Sequence, residues 1–201
     1  MKAQELRPRI RYKIADSDQE ITLAKRLCHD VYLEFGYIEE KQPEGIIPNE
    51  NDQYSKYIIA LDESADVVGT VRICIGRSKT LEDWKGNIYP SHRQTVKTLE
   101  LGSAFEVEAL AVRKDYRGKK VNWGLYKKAF QLSKKFNLHT AIIGMDVRAY
   151  HSLVQLGWYV IQIGPAKHYY GSMTIPALLP IQIQARKVAR RNRTYNEYLA
   201  A

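Results

Sequence analysis

The 201 residues carry 45% apolar side chains, enough to bury the core of one domain and too few to suggest a disordered chain. The formal net charge of +9 predicts an anionic partner but does not choose among phosphates, nucleic acid, acidic proteins and anionic lipid. The two cysteines, Cys28 and Cys74, form no CxxC pair, which excludes a disulfide framework or zinc ribbon and favours a reducing cytoplasm.

The N-terminal part of the chain predicts a strand, a helix and a long loop. Residues 8–14 alternate as a strand, and Asp16-Ser17-Asp18 offers N-cap candidates for a helix with an apolar stripe from Ile21 to Tyr32. The polar loop that follows, residues 37–56, is long enough to be a functional lid. Its apolar pair Ile46-Ile47 could equally be a short plug over the core.

Two strands and an irregular stretch come next. Residues 57–62 and 67–76 read as an antiparallel pair around a turn. Residues 78–99 are polar and lack a clear period, so we expect an irregular segment in which Trp84 folds over an edge of the sheet.

The central strand, residues 105–112, carries two carboxylates. A period of two places Glu106 and Glu108 on the same face, about 7 Å apart at roughly 3.4 Å per residue. A face that is only solvated would mix charges of both signs. The pair is therefore a candidate for proton transfer.

A basic turn and an amphipathic helix follow this strand. Residues 113–135 hold nine Lys and Arg against one Asp, and apolar residues recur at helical spacing from Val121 to Phe136. Gly118 allows a ligand to approach the backbone closely, and a helix start offers unpaired N–H groups. Strand, basic turn and helix together predict a phosphate-binding arrangement.

The C-terminal part predicts further alternation of strands and helices. Residues 139–145 read as a strand, 146–156 as a helix ended by Gly157, and 158–163 as another strand. We expect α/β (α+β) architecture, a mixed central sheet flanked by helices, in one domain over residues 1–201.

The last part of the chain carries two prolines and a basic run. Pro176 and Pro180 predict that the loosely alternating segment 169–183 is an edge strand or a bulge. Residues 185–199 predict a terminal basic helix that includes the run from Arg186 to Arg193.

The strand, turn and helix resemble the acyl-donor motif of the GNAT acyltransferase superfamily. The matching residues are Val112, Arg113, Tyr116, Arg117, Gly118, Gly124 and Leu125. The resemblance implies the GNAT fold and an acyl thioester donor held without a tightly bound cofactor. The donor-binding positions that it implies are Val112, Arg113, Arg117, Gly118, Lys119 and Lys120.

The same turn departs from the pattern of members that use coenzyme A. Those members usually carry a second glycine where this chain has Lys120, and small residues where it has Asn122-Trp123. These differences favour a donor held through its phosphopantetheine arm and one phosphate, as on an acidic acyl carrier protein.

The resemblance narrows to the acyl-homoserine-lactone synthases and the related N-acyl amino acid synthases. It rests on Arg26, Val31, Gly36, Asp52, Tyr54, the run from Gly69 to Arg72, and Phe105-Glu106. An arginine of the lactone-synthase pattern falls at Ala109 and an aspartate at Ser55, which argues against S-adenosylmethionine as co-substrate. The second group acylates a free amino acid, often tyrosine. It is preferred because of the missing arginine and the segment Lys167-His168-Tyr169-Tyr170-Gly171.

Transfer of an acyl group to an amine needs a base, an oxyanion site and a proton for the leaving thiolate. We expect Glu106, or else Glu108, to take the amine proton. Backbone N–H groups around Leu110 and Ala111 would hold the oxyanion if the strand bulges there. The tyrosine that protonates the thiolate in many GNAT members is replaced by Leu153.

The acceptor amino acid needs a cation for its carboxylate and a pocket for its side chain. Arg72 is the first candidate cation because it is a lone charge in an apolar strand, with Arg148 and Lys167 as weaker ones. The resemblance adds Arg26. Trp158 and Tyr170 could line an aromatic pocket.

Several other functions lack sequence support. None of the five histidines has metal-site spacing, so no metal is expected, and the phosphate loops GxxxxGK[ST] and GxGxxG are absent. No run approaches the ~20 apolar residues of a membrane span, and no secretory signal is present, so we expect no stable membrane insertion.

The alternative enzymes are an acyl-homoserine-lactone synthase and a coenzyme-A-dependent small-molecule N-acetyltransferase. A basic nucleic-acid-binding module is the alternative outside enzymes. It is disfavoured because the basic stretches contain few aromatic residues.

Overall fold

The computed structural model describes residues 9–183, apart from Glu100, Leu156 and Gln182. The expected terminal helix at 185–199, with its basic run, and the first residue of the expected strand 8–14 lie outside the described residues. Among the helices that are described, none is long and apolar enough to cross a membrane.

The first elements follow the sequence prediction closely. Strand β1 covers Arg11–Ile14 and helix α1 covers Asp18–Glu34. Ser17 caps α1, since its Oγ accepts a hydrogen bond from the Glu20 N–H at 3.3 Å. Buried residues of α1 include Ala24, Cys28 and Val31, all three from the predicted stripe.

The loop after α1 is anchored rather than freely exposed. The buried imidazole of His29 accepts a hydrogen bond from the Gln42 N–H through Nε2 at 3.1 Å, and its Nδ1 lies 2.9 Å from an Asp30 carboxylate oxygen. Short 3₁₀ turns occur at Pro43–Gly45 and Asp52–Tyr54. The loop residue Ile47 packs against the apolar cluster of Cys28, Val31 and Ala111, as a plug would.

The remaining elements complete the alternating order. The strands are β2 (Ser55–Leu61), β3 (Val67–Ile75), β4 (Ala104–Val112), β5 (Thr140–Asp146), β6 (Ile161–Gln162), β7 (Lys167–Tyr169) and β8 (Ser172–Pro180). The helices are α2 (Lys79–Asp83), α3 (Pro90–Lys97), α4 (Val121–Lys135) and α5 (Val147–Gln155). Short 3₁₀ turns lie at Leu101–Ser103 and Lys114–Tyr116.

The prediction of an irregular segment at 78–99 was wrong, because α2 and α3 lie within it. Helix α2 has only five residues, too few to show a period, and begins where Ser78 accepts a hydrogen bond from the Leu81 N–H at 3.1 Å. Pro90 starts α3 at a position where a missing N–H costs nothing. Trp84 is fully buried rather than folded over an edge.

The described strands form a mixed sheet in the order β1-β2-β3-β4-β5-β8-β6, with β7 also paired to β8. Strand β1 runs antiparallel to β2, with Arg11 opposite Leu61. Strands β4 and β5 are parallel, with Glu106 opposite Ile142, and β5 and β8 are antiparallel. This arrangement confirms the expected mixed sheet.

The described residues divide into two compact units. The first contains residues up to 48, 56–72 and 109–128, and the second contains 49–55, 73–108 and the residues from 129 onward. In the first unit Ala24, Tyr57 and Ile59 belong to one buried cluster. In the second, Trp84 and Ile142 belong to another, and the single domain expected from length remains a prediction.

The proline-containing segment was predicted to be an edge strand or bulge, and this was wrong. Strand β8 lies inside the sheet, because β5 pairs along one side of it and β6 and β7 pair along the other. The carbonyl of Pro176 accepts from the Ile163 N–H at 3.0 Å. Since the N–H and C=O of one strand residue point to the same neighbour, the absent N–H of Pro176 costs β8 no bond to β5.

The expected strand ends also change around β8. Instead of one strand from residue 169, the chain forms a hairpin whose turn is Tyr170-Gly171, both at positive φ (44° and 66°). Paired positive φ values are typical of a two-residue hairpin turn. The strand expected at 158–163 is shorter and covers only β6.

Gly69 of β3 allows close packing of α4 on the sheet. A Cβ at this position would lie 2.8 Å from Val121 Cγ1 and 3.3 Å from both Ala60 Cβ and Leu125 Cδ1. We expect Gly69→Ala to lower the free energy of unfolding by about 1–3 kcal/mol, because the crowded side chains must shift. Chemical denaturation measures this.

Gly86→Ala is the matched control for Gly69→Ala. A Cβ at Gly86 meets no heavy atom within 4 Å, so the change should stay within about 0.5 kcal/mol. Equal effects of the two substitutions would contradict the packing argument.

Candidate active site

The first unit contains a cleft of about 260 Å³ at the end of β4. It is bordered by α1, the basic turn and the start of α4. Its lining residues are Val31, Phe35, Leu110, Val112, Tyr116, Arg117, Gly118, Val121 and Asn122. The wall is mostly apolar, with the guanidinium of Arg117 as its one cation among these residues. Four predicted positions, Leu110, Val112, Arg117 and Gly118, thus lie around one cleft.

Strand β4 has an unusual backbone conformation just before Leu110 and Ala111. Ala109 has φ 52°, a left-handed conformation that is rare for a residue with a Cβ and typical of a bulge. Pairing of β4 with β5 covers only Ala104 to Glu106. This conformation lies directly before Leu110 and Ala111, and the role of their N–H groups as oxyanion donors stays a prediction.

The turn before α4 contains two left-handed residues, Gly118 with φ 76° and Lys120 with φ 64°. The conformation of Lys120 explains why a glycine suits this position in other chains, because glycine adopts it without strain. Lysine carries the strain but adds a cation beside the helix start. Lys119 also lies nearby, with its Nζ 5.1 Å from the centre of the Tyr116 ring.

Arg117 is held in place at the wall of the cleft. Its Nη1 and Nη2 donate to the two carboxylate oxygens of Glu34 at 2.8 and 2.6 Å, and its guanidinium lies 4.7 Å from the centre of the Phe35 ring. This fork-to-fork ion pair lowers the pKa of the Glu34 carboxyl. Arg117 therefore reaches the cleft with its charge already paired.

Arg113 is surrounded by carboxylates. Its guanidinium lies 2.9 Å from Asp115, 3.6 Å from Asp62 and 3.8 Å from Asp66. Tyr116 donates from its hydroxyl to Asp62 at 2.8 Å. Arg113 thus organises the turn, and a role in donor binding remains a prediction.

Glu106 is a buried carboxyl in the second unit, with 2% of its surface exposed. Its Oε1 accepts from the Thr80 N–H at 3.0 Å and from the Thr80 hydroxyl, while its Oε2 has no hydrogen-bond partner among the described residues. Burial, reinforced by the charge of Glu108, raises the pKa of Glu106 to about 7. A carboxyl with one free buried oxygen and a pKa near neutrality is suited to proton transfer.

Aromatic rings and charged groups lie in the same unit as Glu106. The centres of the Trp84 and Tyr169 rings are 5.0 Å apart, and those of Tyr169 and Tyr170 are 4.7 Å apart. Tyr169 donates to an Asp83 carboxylate oxygen at 2.5 Å. Burial, the Asp83 hydrogen bond and the Glu106 charge all raise the pKa of the Tyr169 hydroxyl, which places this ring within the electrostatic reach of Glu106.

Two lysines border this aromatic group. Lys167 lies with its Nζ 3.9 Å from the centre of the Trp84 ring and donates to the Asp83 carbonyl at 2.8 Å. Lys79 immediately precedes Thr80, and its Nζ lies 3.6 Å from Asp83 and 3.8 Å from Glu50. Both distances exceed those of a good hydrogen bond, so the Lys79 ammonium is held only loosely.

The structure places the other predicted acceptor residues as follows. Arg72 is buried in β3, with 8% exposed, and Arg26 on α1 donates to the Glu44 carbonyl at 3.3 Å, where it anchors the loop. Trp158 is half-buried, and Tyr170 is 45% exposed at the hairpin turn. Glu108 is half-buried and acts on Glu106 through its charge.

Sequence reasoning missed the contributions of Thr80, Asp83 and Lys79. All three belong to α2, which is too short for a period to reveal. The available signal was Ser78, a good N-cap residue directly before them. In residues 9–183, outside the three undescribed positions, no cluster of His, Cys, Asp or Glu could hold a metal ion.

The chain matches the family model described as N-acyl amino acid synthase FeeM over residues 23–179. It therefore belongs to this family, and it is an acyltransferase. None of the curated protein sequences matches it.

Solved structures agree on the fold. FeeM, an N-acyl amino acid synthase from uncultured soil microbes, is 16% identical, with a TM-score of 0.63 over 90% of this chain and 95% of that one. BjaI, a CoA-dependent acyl-homoserine lactone synthase with SAM and isopentyl-CoA, is 18% identical, with a TM-score of 0.66 over 86% and 83%. A GNAT-family acetyltransferase from Staphylococcus aureus Mu50 is 12% identical, with a TM-score of 0.56 over 86% and 99%. The GNAT fold expected from the sequence is thus confirmed.

Proposed function

We propose that this protein transfers a fatty acyl group from a carrier-protein thioester to the α-amine of a free aromatic amino acid, with tyrosine as the first candidate. The observation on which this rests is the buried Glu106, whose Oε1 is held by Thr80 and whose Oε2 has no hydrogen-bond partner among the residues that the structure describes. A buried polar atom without a partner is uncommon and calls for an explanation. An amine donor at that oxygen is the explanation that fits an acyltransferase.

The reaction needs one base and one proton donor. Glu106 takes a proton from the ammonium group, and the neutral nitrogen attacks the thioester carbonyl carbon. The N–C bond forms, the C–S bond breaks, and the thiolate takes up the second amine proton, directly or through water. The product is an amide and a free pantetheine thiol.

A pKa near neutrality makes Glu106 a better base than an ordinary glutamate. The α-amine of an amino acid holds its proton well above neutral pH, so an ordinary carboxylate is a poor acceptor for it. Raising the pKa of Glu106 to about 7 narrows that gap while leaving a substantial ionised fraction at neutral pH. The raised pKa therefore supports this role.

The aromatic group supports an aromatic acceptor. The half-buried Tyr169 ring lies edge-on to the exposed Tyr170 ring with their centres 4.7 Å apart, and the buried Trp84 packs behind Tyr169 with its ring centre 5.0 Å away. Tyr170 extends the group to the surface. The ring of a tyrosine or phenylalanine acceptor could pack against this aromatic group.

The cleft of the first unit supports a pantetheine-linked donor. Its apolar wall of Val31, Phe35 and Leu110 suits an uncharged arm, and Lys119 and Lys120 supply cations at the helix start. The N–H groups of Leu110 and Ala111, directly after the bulge at Ala109, are the proposed oxyanion donors.

We also propose that the basic turn and α4 dock an acidic carrier in the cytoplasm. Lys127 and Lys128 continue the positive charge of the turn along the helix. Among the described residues, Cys28 and Cys74 form no disulfide, and both are buried, which supports a reducing compartment.

The test is to incubate the purified protein with acyl donors and acceptors and to identify products by mass spectrometry. Acyl carrier protein and coenzyme A thioesters of several chain lengths are compared, each with the twenty amino acids and with S-adenosylmethionine. We expect an N-acyl aromatic amino acid from the carrier thioester. An acyl-homoserine lactone, or no product from any amino acid, would overturn the proposal.

Lys79 is expected to bind the acceptor's carboxylate, since it is loosely held and directly precedes the residue that holds Glu106. We expect Lys79→Met to raise the KM for tyrosine about tenfold, while the activity with tyramine, which has no carboxylate, stays the same. Steady-state kinetics with the two acceptors measures this.

Lys79→Arg should restore most of the tyrosine activity, and Lys85→Met, at an exposed position shortly after α2, should change neither acceptor. Parallel losses with tyrosine and tyramine would assign Lys79 a structural role instead.

A further inference from the structure

The ion pair between Glu34 and Arg117 lies at the wall of the donor cleft. Its two oxygen–nitrogen distances of 2.8 and 2.6 Å are those of a tight, two-bond ion pair. Glu34 is the last residue of α1, and the next residue, Phe35, lies under the same guanidinium at 4.7 Å. The arrangement fixes a carboxylate beside the cation that would otherwise be free to meet the donor's phosphate.

Carboxylates close to the turn offset most of its positive charge. The turn carries five cations: Arg113, Lys114, Arg117, Lys119 and Lys120. Four carboxylates contact its two arginines: Glu34, Asp62, Asp66 and Asp115. The set as a whole therefore keeps a net charge of only +1.

A net charge of +1 fits a carrier-protein thioester better than a coenzyme A thioester. The phosphopantetheine arm of a carrier protein brings a single phosphodiester charge. Coenzyme A brings a diphosphate and a 3′-phosphate, about three further negative charges. The additional phosphate charges of coenzyme A would lie next to the Glu34 carboxylate, which repels them. Arg117 would not attract them, because its guanidinium is already paired with Glu34.

We propose that Glu34 is a donor-selecting residue, which favours carrier-bound over coenzyme-A-bound acyl groups by holding Arg117 away from the donor's phosphates. The proposal rests on the proposed function, since it concerns the donor of that reaction. It adds a repulsive element to the donor site, and such elements often set specificity when attraction alone cannot.

The position of Glu34 makes the residue suitable for substitution. Its side chain is 38% exposed, so glutamine in its place leaves no buried group without a partner. Glu34→Gln keeps the shape, frees the Arg117 guanidinium and raises the net charge of the turn by one unit. The exposed Glu39, in the loop that follows α1, provides a control that removes the same charge away from Arg117.

The experiment compares wild type, Glu34→Gln and Glu39→Gln in two measurements. The first is kcat/KM with acyl coenzyme A and with acyl carrier protein, and the second is the Kd of free coenzyme A by calorimetry. We expect Glu34→Gln to raise kcat/KM for acyl coenzyme A about tenfold and to tighten coenzyme A binding by a similar factor. The carrier thioester should change less than about threefold, and Glu39→Gln should change neither.

Two results would overturn the role of Glu34. One is an unchanged ratio between donors together with an unchanged Kd. The other is an equal loss with both donors, which would mark the ion pair as structural. If the wild type used neither donor for amino acid acylation, the proposed function would fail, while the coenzyme A binding of Glu34→Gln would still test the charge argument.

Discussion

Glu106→Gln should lower kcat/KM for amino acid acylation by about 100-fold or more, because glutamine keeps the shape and the Thr80 contact but cannot accept the amine proton. Wild-type kcat/KM should rise with pH through about 7, as Glu106 loses its proton. The variant should lack this rise. Steady-state kinetics between about pH 5.5 and about pH 9 gives both values.

The same substitution should stabilise the protein at high pH. The pKa of Glu106 is raised from 4.5 to about 7 on folding, so the folded state binds the proton more tightly than the unfolded state. The contribution of Glu106 to stability is therefore fully present below about pH 4.5 and is lost as the pH rises through about 7. Replacing the carboxylate recovers at most about 3 kcal/mol at about pH 8.5, and most of the gain should vanish at about pH 5.

Glu82→Gln is the matched control, since Glu82 is an exposed acid on the same short helix as Thr80. It should change neither kcat/KM nor the pH dependence of unfolding. Full activity of Glu106→Gln across this pH range would remove Glu106 from the mechanism, whatever the stability result.

Trp84→Ala should lower the free energy of unfolding by about 3–5 kcal/mol. Trp84 is fully buried within the cluster that includes Ile142 and Leu178, and its Nε1 donates to the Pro165 carbonyl at 3.0 Å. Alanine removes the largest side chain of that cluster and leaves a cavity under Lys167. Urea or guanidinium unfolding, monitored by circular dichroism, measures the loss.

Two further variants separate packing from hydrogen bonding. Trp84→Phe keeps most of the volume and should cost less than half as much, mainly through the lost hydrogen bond. Tyr89→Ala removes a ring that is 37% exposed and should cost less than about 1.5 kcal/mol. A loss below about 1 kcal/mol for Trp84→Ala would contradict the buried position of the indole.

The elements that sequence predicted well are those whose pattern is local. Ser17 and an apolar stripe predict helix α1, and apolar residues at helical spacing after a basic turn predict α4. The alternation around Glu106 identified β4, but the left-handed conformation of Ala109 could not be read from the sequence. Each of these signals lies within about ten neighbouring residues.

The features that sequence did not predict depend on distant partners. Helix α2 has about one turn, too short to give a sequence period. Its role is seen only in the structure, where the Thr80 N–H donates to Glu106, 26 positions away. Strand β8 looked like an edge because of Pro176, and only its pairing with β5 reveals that the missing N–H costs that pairing nothing. The Glu34–Arg117 pair spans 83 positions, and no period or motif links two such residues.

Lys120 has a consequence for how this chain can change over time. A residue with a Cβ at φ 64° gives up roughly 1 kcal/mol relative to glycine, so folding alone would reward a drift toward glycine here. The ammonium group is a feature that lysine has and glycine lacks. The frequency of lysine at this position in evolving copies of the chain would therefore measure selection for ligand binding. Selection for stability alone would favour glycine.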